Sequence, residues 1–597
     1  MQRPCAMDLR TVLKRWRSGR DTASAVAAPA APDAAVTELL RLGAAQRQSA
    51  KYEAATRTLM RAIELAHDYG EAHHELGLVH FELGRFEDAA DCFQLAVHFS
   101  PQHAAAHRDL GAAFIRLGRG AAAQSACRRA LELEPQSAAA WFCTGNACKL
   151  RDEFEQAIEC YRAALACDPG FVDAACQLAF VLYKLGRYDE SRASHAAALA
   201  IRPDFAEAHH NLGLLLLETG DAEAALSSFE RALALRPGTP ETWACIGHAL
   251  RDLGRFDAAI AQYDRALAQQ PQFGDAVINR CYALLMRGDY ANGWSEYERR
   301  FVATATPERG FPYPDWRGEP LAGKRILVYA EQGLGDEIMF ASCLPDVVKL
   351  AGHVVIECSA RLAPLFARSF PAATVHGGNK DEDKGWLQAL PPCDFQVAIG
   401  SLPLHFRRQQ AEFPAHRGYL CADDARVKFW RSRFTATGRA LRVGIAWRGG
   451  SLRSRQFTRS VPLACWLPLL AQPGVDFVGL QYGDVANELA QLEAEHGIAV
   501  RSCGEALADI DELAAAIATL DLVISVDTTV VHLTGALGRP VWVLLASAPE
   551  WRYPRTGATM PWYPSARLFR QSTPRDWAPV ISQVSDAVRQ LARARGN

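Results

Sequence analysis

The sequence predicts a solenoid of paired α-helices followed by an α/β module of two doubly wound lobes. Two observations carry this prediction. Proline returns every 34 residues in the first half of the chain, and short β-branched runs alternate with helical stretches in the second half. The 597 residues leave room for about four domains of ~150 residues each.

The composition and the charge balance exclude several classes of protein. Lys and Arg number 65 against 67 for Asp and Glu, so the net charge is −2 and we expect no nucleic-acid partner. No apolar run reaches the ~18 residues of a membrane-spanning helix, so we expect no membrane span. The 16 cysteines form no C-x-x-C pair, which argues against zinc and thioredoxin-type sites and favours reduced thiols in a cytoplasmic protein.

Residues 1–35 form a segment of different composition. Six basic residues and one acidic residue within the first 20 positions are followed by an Ala/Pro stretch at 23–35. A secretory signal needs a longer apolar core than this proline-interrupted run provides. We predict a disordered or partly helical leader, and a membrane-surface role for its basic part stays open.

The 34-residue step defines a two-helix repeat. A glycine, or Asp152 in one repeat, recurs between two apolar-periodic segments, where a residue with positive φ ends a helix at low cost. Small residues such as Gly77 and Ala89 allow the two helices to approach closely. The proline after the second helix prevents its continuation. The prolines in register are Pro101, Pro135, Pro169, Pro203, Pro237 and Pro271.

These positions resemble the tetratricopeptide repeat. Seven repeats are expected from about residue 36 to residue 271, followed by a partial eighth, in a solenoid that covers residues 36–304. The degenerate first repeat is a candidate cap. The residues at the family's spacing in one repeat are Leu76, Gly77, Ala89, Phe93, Ala96 and Pro101.

The second half of the chain changes to a rhythm of strands and helices, which predicts parallel sheets built from βαβ units. The expected first lobe is residues 305–422, with strands at 325–330, 353–358 and 394–399. The expected second lobe is residues 438–572, with strands at 442–447, 475–481, 499–502, 522–526 and 540–545. A last helix is expected at 575–594.

Three short patterns imitate cofactor sites. Residues 318–324 have the spacing of a phosphate-binding P-loop but precede a strand and lack the final Ser or Thr. Gly333-x-Gly335 lacks the third glycine of a dinucleotide-binding fingerprint, and Asp336 would repel a pyrophosphate there. The D-x-D patterns at 381–383 and 509–511 are too short to specify a metal, and the second is expected to begin a helix. We therefore expect no cofactor and no metal.

A stronger candidate site follows the predicted strand 522–526. Asp527 ends this strand, and the next helix opens with Thr528 and Thr529 and carries His532. Ligands of open α/β sheets bind at the carboxyl ends of strands, and the free N–H groups of a helix start suit a phosphate. The alternative is that Asp527 only caps the helix and that His532 lies in the core.

A cationic loop follows the predicted strand 442–447. Residues 449–460 contain Arg453, Arg455 and Arg459 and no acidic residue. Alone this would be a solvated loop. Opposite a helix N-terminus it would form a clamp for a diphosphate.

The C-terminal half, roughly residues 310–572, resembles the heptosyltransferase-like glycosyltransferases of GT-B fold, in the branch fused to tetratricopeptide repeats. The resemblance implies sugar transfer from a nucleotide-diphosphate donor, usually with inversion and without a metal. It implies that Asp336 is the base, presented by the turn of Gln332, Gly333 and Gly335. The matching stretches are residues 294–299, 329–336, 459–462, 526–528 with 532–533, and 562–564 with 567–571.

The same resemblance implies a donor site in the second lobe. Arg459 takes the position of the family's cationic residue three places before a proline, although heptosyltransferases have Lys there. Asp527 and Thr528 take the family's Asp-Thr position at the helix start. The first lobe looks short for the acceptor lobe of a GT-B enzyme.

The architecture is also similar to that of O-linked N-acetylglucosamine transferases, which read peptides with an asparagine ladder. At the matching register this chain has asparagine at only two of seven positions, Asn211 and Asn279. The other five positions are Glu75, Asp109, Cys143, Gln177 and Cys245. We interpret the chain as a glycosyltransferase whose repeats recruit an acceptor, namely a protein, and pack on the catalytic module through Trp294, Tyr297 and Arg300. The alternative is a non-catalytic repeat scaffold with a degenerate transferase module.

Overall fold

The computed structural model describes residues 34–303, 309–378, 384–434, 441–449 and 456–596. The predicted leader lies outside the described residues except for Ala34 and Ala35, which begin the first helix. The acidic residues at 381–383 and the loop arginines Arg453 and Arg455 also lie outside them. The chain divides into two compact units, Met1–Leu215 and Leu216–Asn597, so the repeats are shared between the units.

Eight consecutive helix pairs lie between Ala34 and Tyr297 within the described residues, and the prediction of a repeat solenoid is confirmed. The helices are α1 Ala34–Gln48, α2 Tyr52–Leu65, α3 Gly70–Glu82, α4 Phe86–Phe99, α5 Ala104–Arg116, α6 Gly120–Leu133, α7 Ala138–Leu150, α8 Phe154–Cys167, α9 Val172–Lys184, α10 Tyr188–Ile201, α11 Ala206–Glu218, α12 Ala222–Leu235, α13 Pro240–Asp252, α14 Phe256–Gln269, α15 Gly274–Arg287 and α16 Tyr290–Tyr297.

The repeat positions act as their chemistry predicts. Gly84 ends its helix with φ of 73°, and Asp152, which replaces the glycine in one repeat, has φ of 61°. A Cβ placed on Gly77 would lie 2.6 Å from the ring of Phe93, so only glycine permits this approach of α3 and α4. The first repeat, which lacks both the glycine and the proline, keeps the same turn, because Ala50 has φ of 54° there.

A four-stranded parallel sheet follows the repeats, in the order β3-β2-β1-β4. The prediction missed β3, a half-buried strand that ends in two glycines and lacks a continuous apolar run. The elements are α17 Arg300–Ala303, β1 Arg325–Tyr329, α18 Leu334–Phe340, α19 Leu344–Leu350, β2 His353–Ser359, α20 Ala363–Ser369, β3 Thr374–Gly378, β4 Phe395–Ala398, α21 Pro403–Phe406 and α22 Asp424–Arg433.

The second sheet has six parallel strands in the order β10-β9-β8-β5-β6-β7, so the α/β module has the predicted two parallel sheets. The prediction missed β10, an edge strand in which charged residues interrupt the apolar pattern. The elements are β5 Leu441–Ala446, α23 Gln456–Arg459, α24 Leu467–Leu470, β6 Val475–Gly479, α25 Ala486–His496, β7 Arg501–Ser502, α26 Ile510–Ala518, β8 Leu522–Val526, α27 Thr529–Ala536, β9 Val541–Leu545, β10 Ala566–Arg570 and α28 Ala578–Gly596.

Each sheet contains one point at which the direction of winding reverses. In the first sheet the chain proceeds from β1 to β2 and β3 and then crosses to β4 on the other side of β1. In the second sheet it proceeds from β5 to β6 and β7 and then crosses to β8 on the other side of β5. A crevice opens at such a switch point at the carboxyl ends of the strands, and ligands bind there.

The last repeat packs on both lobes of the second unit. Trp294 is 1% exposed, and its Nε1 donates to the carbonyl of Arg407 at 2.8 Å. Its ring centroid lies 6.3 Å from Phe340 of α18, 5.9 Å from Trp551 and 6.0 Å from Trp562. Both tryptophans come from the segment between β9 and β10. The junction core predicted at Trp294 therefore touches the first and the second lobe.

Candidate functional site

A cleft of about 640 Å³ opens at the switch point of the second sheet. Ala446 from the end of β5 and Leu480 just after β6 line it, together with the start of α18 in the first lobe. The structure brings most of the predicted site residues together there. Those that line the cleft are Gly333, Gly335, Asp336, Arg459, Asp527, Thr528, Thr529 and His532.

Asp336 lies in the first turn of α18, after the glycine turn that follows β1. Gly333, and not Asp336, is the N-cap of this helix. The Oδ1 atom of Asp336 accepts from Nε of Arg552 at 2.9 Å and from Nη2 at 2.5 Å. Arg552 comes from the segment between β9 and β10, so this ion pair joins the two lobes across the cleft.

Gln332 is the predicted turn residue that does not line the cleft among the described residues. Its side chain hydrogen-bonds the carboxylate of Glu331. Glu331 also accepts from Nη2 of Arg300 at 3.0 Å, and both partners are buried. Arg300 donates as well to the hydroxyl of Ser401 at 2.9 Å. Arg300 therefore packs on the first lobe, as predicted, and it also holds the residue that precedes the glycine turn.

The buried Asp527 and the half-buried Arg459 form a charge pair at the end of β8. Nη2 of Arg459 lies 2.9 Å from the backbone oxygen and 2.9 Å from Oδ2 of Asp527. Nη1 of Arg459 is 3.4 Å from Glu550, and the hydroxyl of Tyr553 donates to Oδ1 of Asp527 at 2.8 Å. Arg459 lines the cleft but has acidic partners, which the sequence did not predict.

The helix start at α27 differs from the prediction in one detail. Thr528 is the N-cap, and its hydroxyl accepts from the backbone N–H of Val530 at 3.2 Å. The alternative that Asp527 caps this helix is therefore wrong, because its carboxylate is turned to Tyr553 and Arg459. Thr529 is the first residue of the helix and faces the cleft.

The starts of α18 and α27 approach each other closely. A Cβ placed on Gly335 would lie 3.3 Å from Cδ2 of His532 and 3.5 Å from Oγ1 of Thr529, so glycine permits this contact. His532 is 4% exposed, and its Nδ1 lies 3.1 Å from the hydroxyl of Tyr563. Burial, followed by the positive charge of Arg552, lowers the pKa of His532 to about 4. The imidazole is therefore neutral at pH 7.

Four arginines and two aspartates are the charged residues that line the described part of the cleft. Besides Arg459 and Arg552, these arginines are Arg361, which donates to the carbonyl of Ala508 at 2.8 Å, and Arg448, which pairs with Glu488. The excess of cations and the two helix starts suit an anionic ligand.

The comparisons with known proteins agree with this division of the chain. Four tetratricopeptide repeat profiles match residues 70–103, 145–186, 172–237 and 216–277. The profile of glycosyltransferase family 9 (heptosyltransferase) matches residues 484–578. The chain joins tetratricopeptide repeats to a glycosyltransferase family 9 domain. The matched segment includes Asp527, His532 and Arg552 but neither Asp336 nor Arg459.

The chain is also similar to individual proteins. It is 34% identical to Protein FlbA of Caulobacter vibrioides over 328 residues, which cover 52% of this chain and 54% of that protein. It thus spans about half the length of this curated relative. Two solved structures are similar to parts of the chain. The APC/C hetero-tetramer Cut9–Hcn1 is 17% identical at a TM-score of 0.37 and covers 45% of this chain and 53% of its own. A tetratricopeptide repeat protein of Thermus thermophilus is 27% identical at a TM-score of 0.27, and the match covers 30% of this chain and 99% of that protein.

Sequence reasoning missed Arg552 and Arg361 as residues that line this cleft. Both follow the carboxyl end of a strand, and that position is the signal that could have found them. Glu357, near the end of β2, accepts from the N–H of Ala330 at 3.0 Å and pairs with Arg309.

The described residues contain no group of three or more His, Cys, Asp or Glu side chains that could hold a metal ion. Asp509 is the N-cap of α26, as expected, and Asp511 pairs with Arg368. Among the described helices, none combines the length and the apolar character needed to cross a membrane.

The buried His532 makes a testable contribution to acid sensitivity. Its pKa is lower in the folded state than the ordinary value of 6.5, so the unfolded chain takes up the proton first as the pH falls. The contribution of the neutral His532 to the free energy of unfolding is complete above about pH 6.5 and is lost as the pH falls towards 4. For a shift of this size the loss amounts to about 3 kcal/mol.

We expect the free energy of unfolding of His532→Gln to fall less between pH 6.5 and 4 than that of the unchanged protein, as measured by urea titration at each pH. Tyr563→Phe removes the hydrogen-bond partner but not the titrating group, so it should keep the full acid loss. An equal acid loss in the His532→Gln and unchanged proteins would contradict this assignment.

Proposed function

We propose that this chain transfers a sugar from a nucleotide-diphosphate donor to an acceptor, a protein, that the repeats recruit. The family 9 match supports the glycosyltransferase activity. The observation that carries the finer proposal is the cleft itself, in which Asp336 of the first lobe faces the arginines and the helix start of the second lobe. Sugar transfer needs these two sets of groups, one to activate a hydroxyl and one to receive a departing diphosphate.

The donor diphosphate binds between the start of α27 and the arginines. Two negative charges gather on the leaving nucleotide as its bond to the sugar breaks, and preorganised cations stabilise them most in the transition state. Asp527 and Glu550 hold the guanidinium group of Arg459 in place, so little side-chain entropy is lost when the donor binds. These guanidinium groups take the part that a divalent metal has in other transferases.

Asp336 is the general base. Its carboxylate removes the proton from the acceptor hydroxyl, whose oxygen attacks the anomeric carbon, and the bond from that carbon to the diphosphate oxygen breaks with its electron pair. A single displacement of this kind inverts the anomeric configuration. Arg552 holds Oδ1 of Asp336 and leaves the other carboxylate oxygen for the acceptor, so it orients the base towards the cleft.

The repeats bring the acceptor to this cleft. Stacked helix pairs provide an extended surface that exceeds the needs of a small ligand, and such surfaces bind polypeptides. The last repeat contacts both lobes through Trp294, so a polypeptide held by the last repeat lies next to the transferase.

The first test concerns the donor. Arg459→Ala removes a cation that stabilises the leaving group, and we expect transfer to fall roughly 10²- to 10³-fold. Arg459→Lys keeps the charge and should retain part of the activity. Arg589→Ala, at an exposed position of α28, is the control. Turnover measured with a panel of nucleotide sugars checks this, and unchanged turnover in Arg459→Ala would remove this residue from the mechanism.

The second test concerns the base. Asp336→Asn keeps the shape of the side chain and removes its basicity, so we expect transfer to slow by roughly 10²- to 10⁴-fold. Donor affinity, measured by calorimetry, should be retained. Asp346→Asn, which changes an aspartate of the same lobe outside the cleft, is the control. Near-normal turnover of Asp336→Asn would exclude Asp336 as the base. Absence of turnover in the unchanged protein as well as in every variant would favour the non-catalytic scaffold.

The third test concerns the acceptor. Deletion of residues 36–200 removes most of the first compact unit and leaves Leu216–Asn597 whole. If the repeats recruit the acceptor, donor hydrolysis should survive in the shortened chain while transfer to protein is lost. Modification of the acceptor at the full rate would instead mean that these repeats serve localisation or assembly.

A further inference from the structure

A second cavity, of about 470 Å³, opens at the switch point of the first sheet. Tyr329 at the end of β1 and Ala398 at the end of β4 line it. The end of the repeats provides a further wall, through Glu298 and Phe301. This cavity is separate from the transferase cleft, because the residues that line the two are different.

The polar groups of this cavity suit a ligand with hydroxyl groups. Burial raises the pKa of Tyr329, so its hydroxyl is neutral. The carboxylate of Glu298 is held by Arg300 and Ser401, each at 2.9 Å. Asp315 accepts from the amide of Gln396 at 2.9 Å. A phenol and oriented carboxylates can accept from several hydroxyl groups of one ligand.

The walls and the charge balance argue against a phosphate or a nucleotide. Trp316 and Phe311 offer apolar ring surface, and the Trp316 ring lies 4.2 Å from that of His405. Two arginines, Arg309 and Arg317, line the cavity, and two carboxylates, those of Glu298 and Asp315, balance them. Arg309 also pairs with Glu357. Aromatic surface combined with oriented polar groups and little net charge favours an uncharged amphipathic ring.

The edge of the sheet argues against an extended peptide. β4 is an edge strand, but the N–H of Trp316 donates to the carbonyl of Gln396 at 2.7 Å, and the N–H of Gln396 donates to the carbonyl of Pro314 at 2.9 Å. These bonds occupy the groups that strand addition would need.

We propose that this cavity binds an uncharged sugar unit of the acceptor. The inference rests on the proposed glycosyl transfer and specifies its substrate: the recruited protein carries a glycan, and the cavity holds one unit of it. Tyr329 and Gly333 of the transferase cleft are four positions apart in the chain, so their Cα atoms lie at most about 14 Å apart. A short glycan can span that distance.

The test uses the full chain and methyl glycosides of galactose, mannose, rhamnose and N-acetylglucosamine as probes in saturation-transfer NMR. At least one glycoside should receive saturation, and Tyr329→Phe should weaken its binding about five- to tenfold through the lost hydroxyl. The control is Tyr313→Phe, which changes a tyrosine that is near in sequence but does not line the cavity. This variant should bind the glycoside as the unchanged chain does. Failure of every glycoside to bind, or equal binding by Tyr329→Phe, overturns the proposal.

A second measurement separates this inference from the proposed function. With a glycan acceptor, Tyr329→Phe should raise the acceptor KM and leave the donor KM unchanged, whereas Arg459→Ala should leave glycoside binding intact. Glycoside binding that depends on Tyr329 in a chain that binds no nucleotide sugar would keep the sugar site and disprove the transferase. Binding of a nucleotide sugar without binding of any glycoside would support the transferase and disprove the sugar site.

Discussion

The packing of Trp294 against both lobes is the contact on which the geometry of the cleft depends. One side of its ring meets Phe340, in the same helix as Asp336, and another meets Trp551, the neighbour of Arg552. Asp336 and Arg552 form the ion pair that crosses the cleft. The last repeat therefore fixes the spacing of the two lobes from outside the cleft, and the ion pair fixes it from inside.

Electrostatics explains why the cleft can be cationic without being unstable. Each of Arg448, Arg459 and Arg552 has an acidic partner within the fold, so little unbalanced charge is buried before a ligand arrives. The same pairs hold the guanidinium groups in place, which lowers the cost of ordering them around an anionic ligand. A buried neutral His532 between the helix starts adds no further charge there.

The sequence predicted the repeats well because their signal is local. A proline, a small residue and a turn residue recur within 34 positions, and each acts on its own turn or its own helix pair, as Asp152 does with its positive φ. The strands with continuous apolar runs were predicted for the same reason. β3 and β10 were missed, since the first ends in glycines and the second carries Arg567 and Arg570.

The candidate site was predicted only where its residues mark the end of a strand or the start of a helix. Asp336 and Asp527 have such positions, but their partners do not follow from them. Arg552 is 216 residues away from Asp336, and nothing local to either residue predicts the pair. The same holds for Arg300 and Glu331, which lie in different parts of the fold and meet only because the last repeat packs on the first sheet.

The two cavities have a common structural cause. Each parallel sheet reverses its winding once, and each reversal opens a crevice at the carboxyl ends of its strands. What differs is the residues that the rest of the chain adds. The second sheet receives arginines and two helix starts, which suit an anion, whereas the first receives Glu298 and Phe301 from the end of the repeats. The end of the repeats thus forms part of the wall of this cavity in addition to contacting both lobes, so a change in the last repeat should alter the shape of the cavity as well as the stability of the fold.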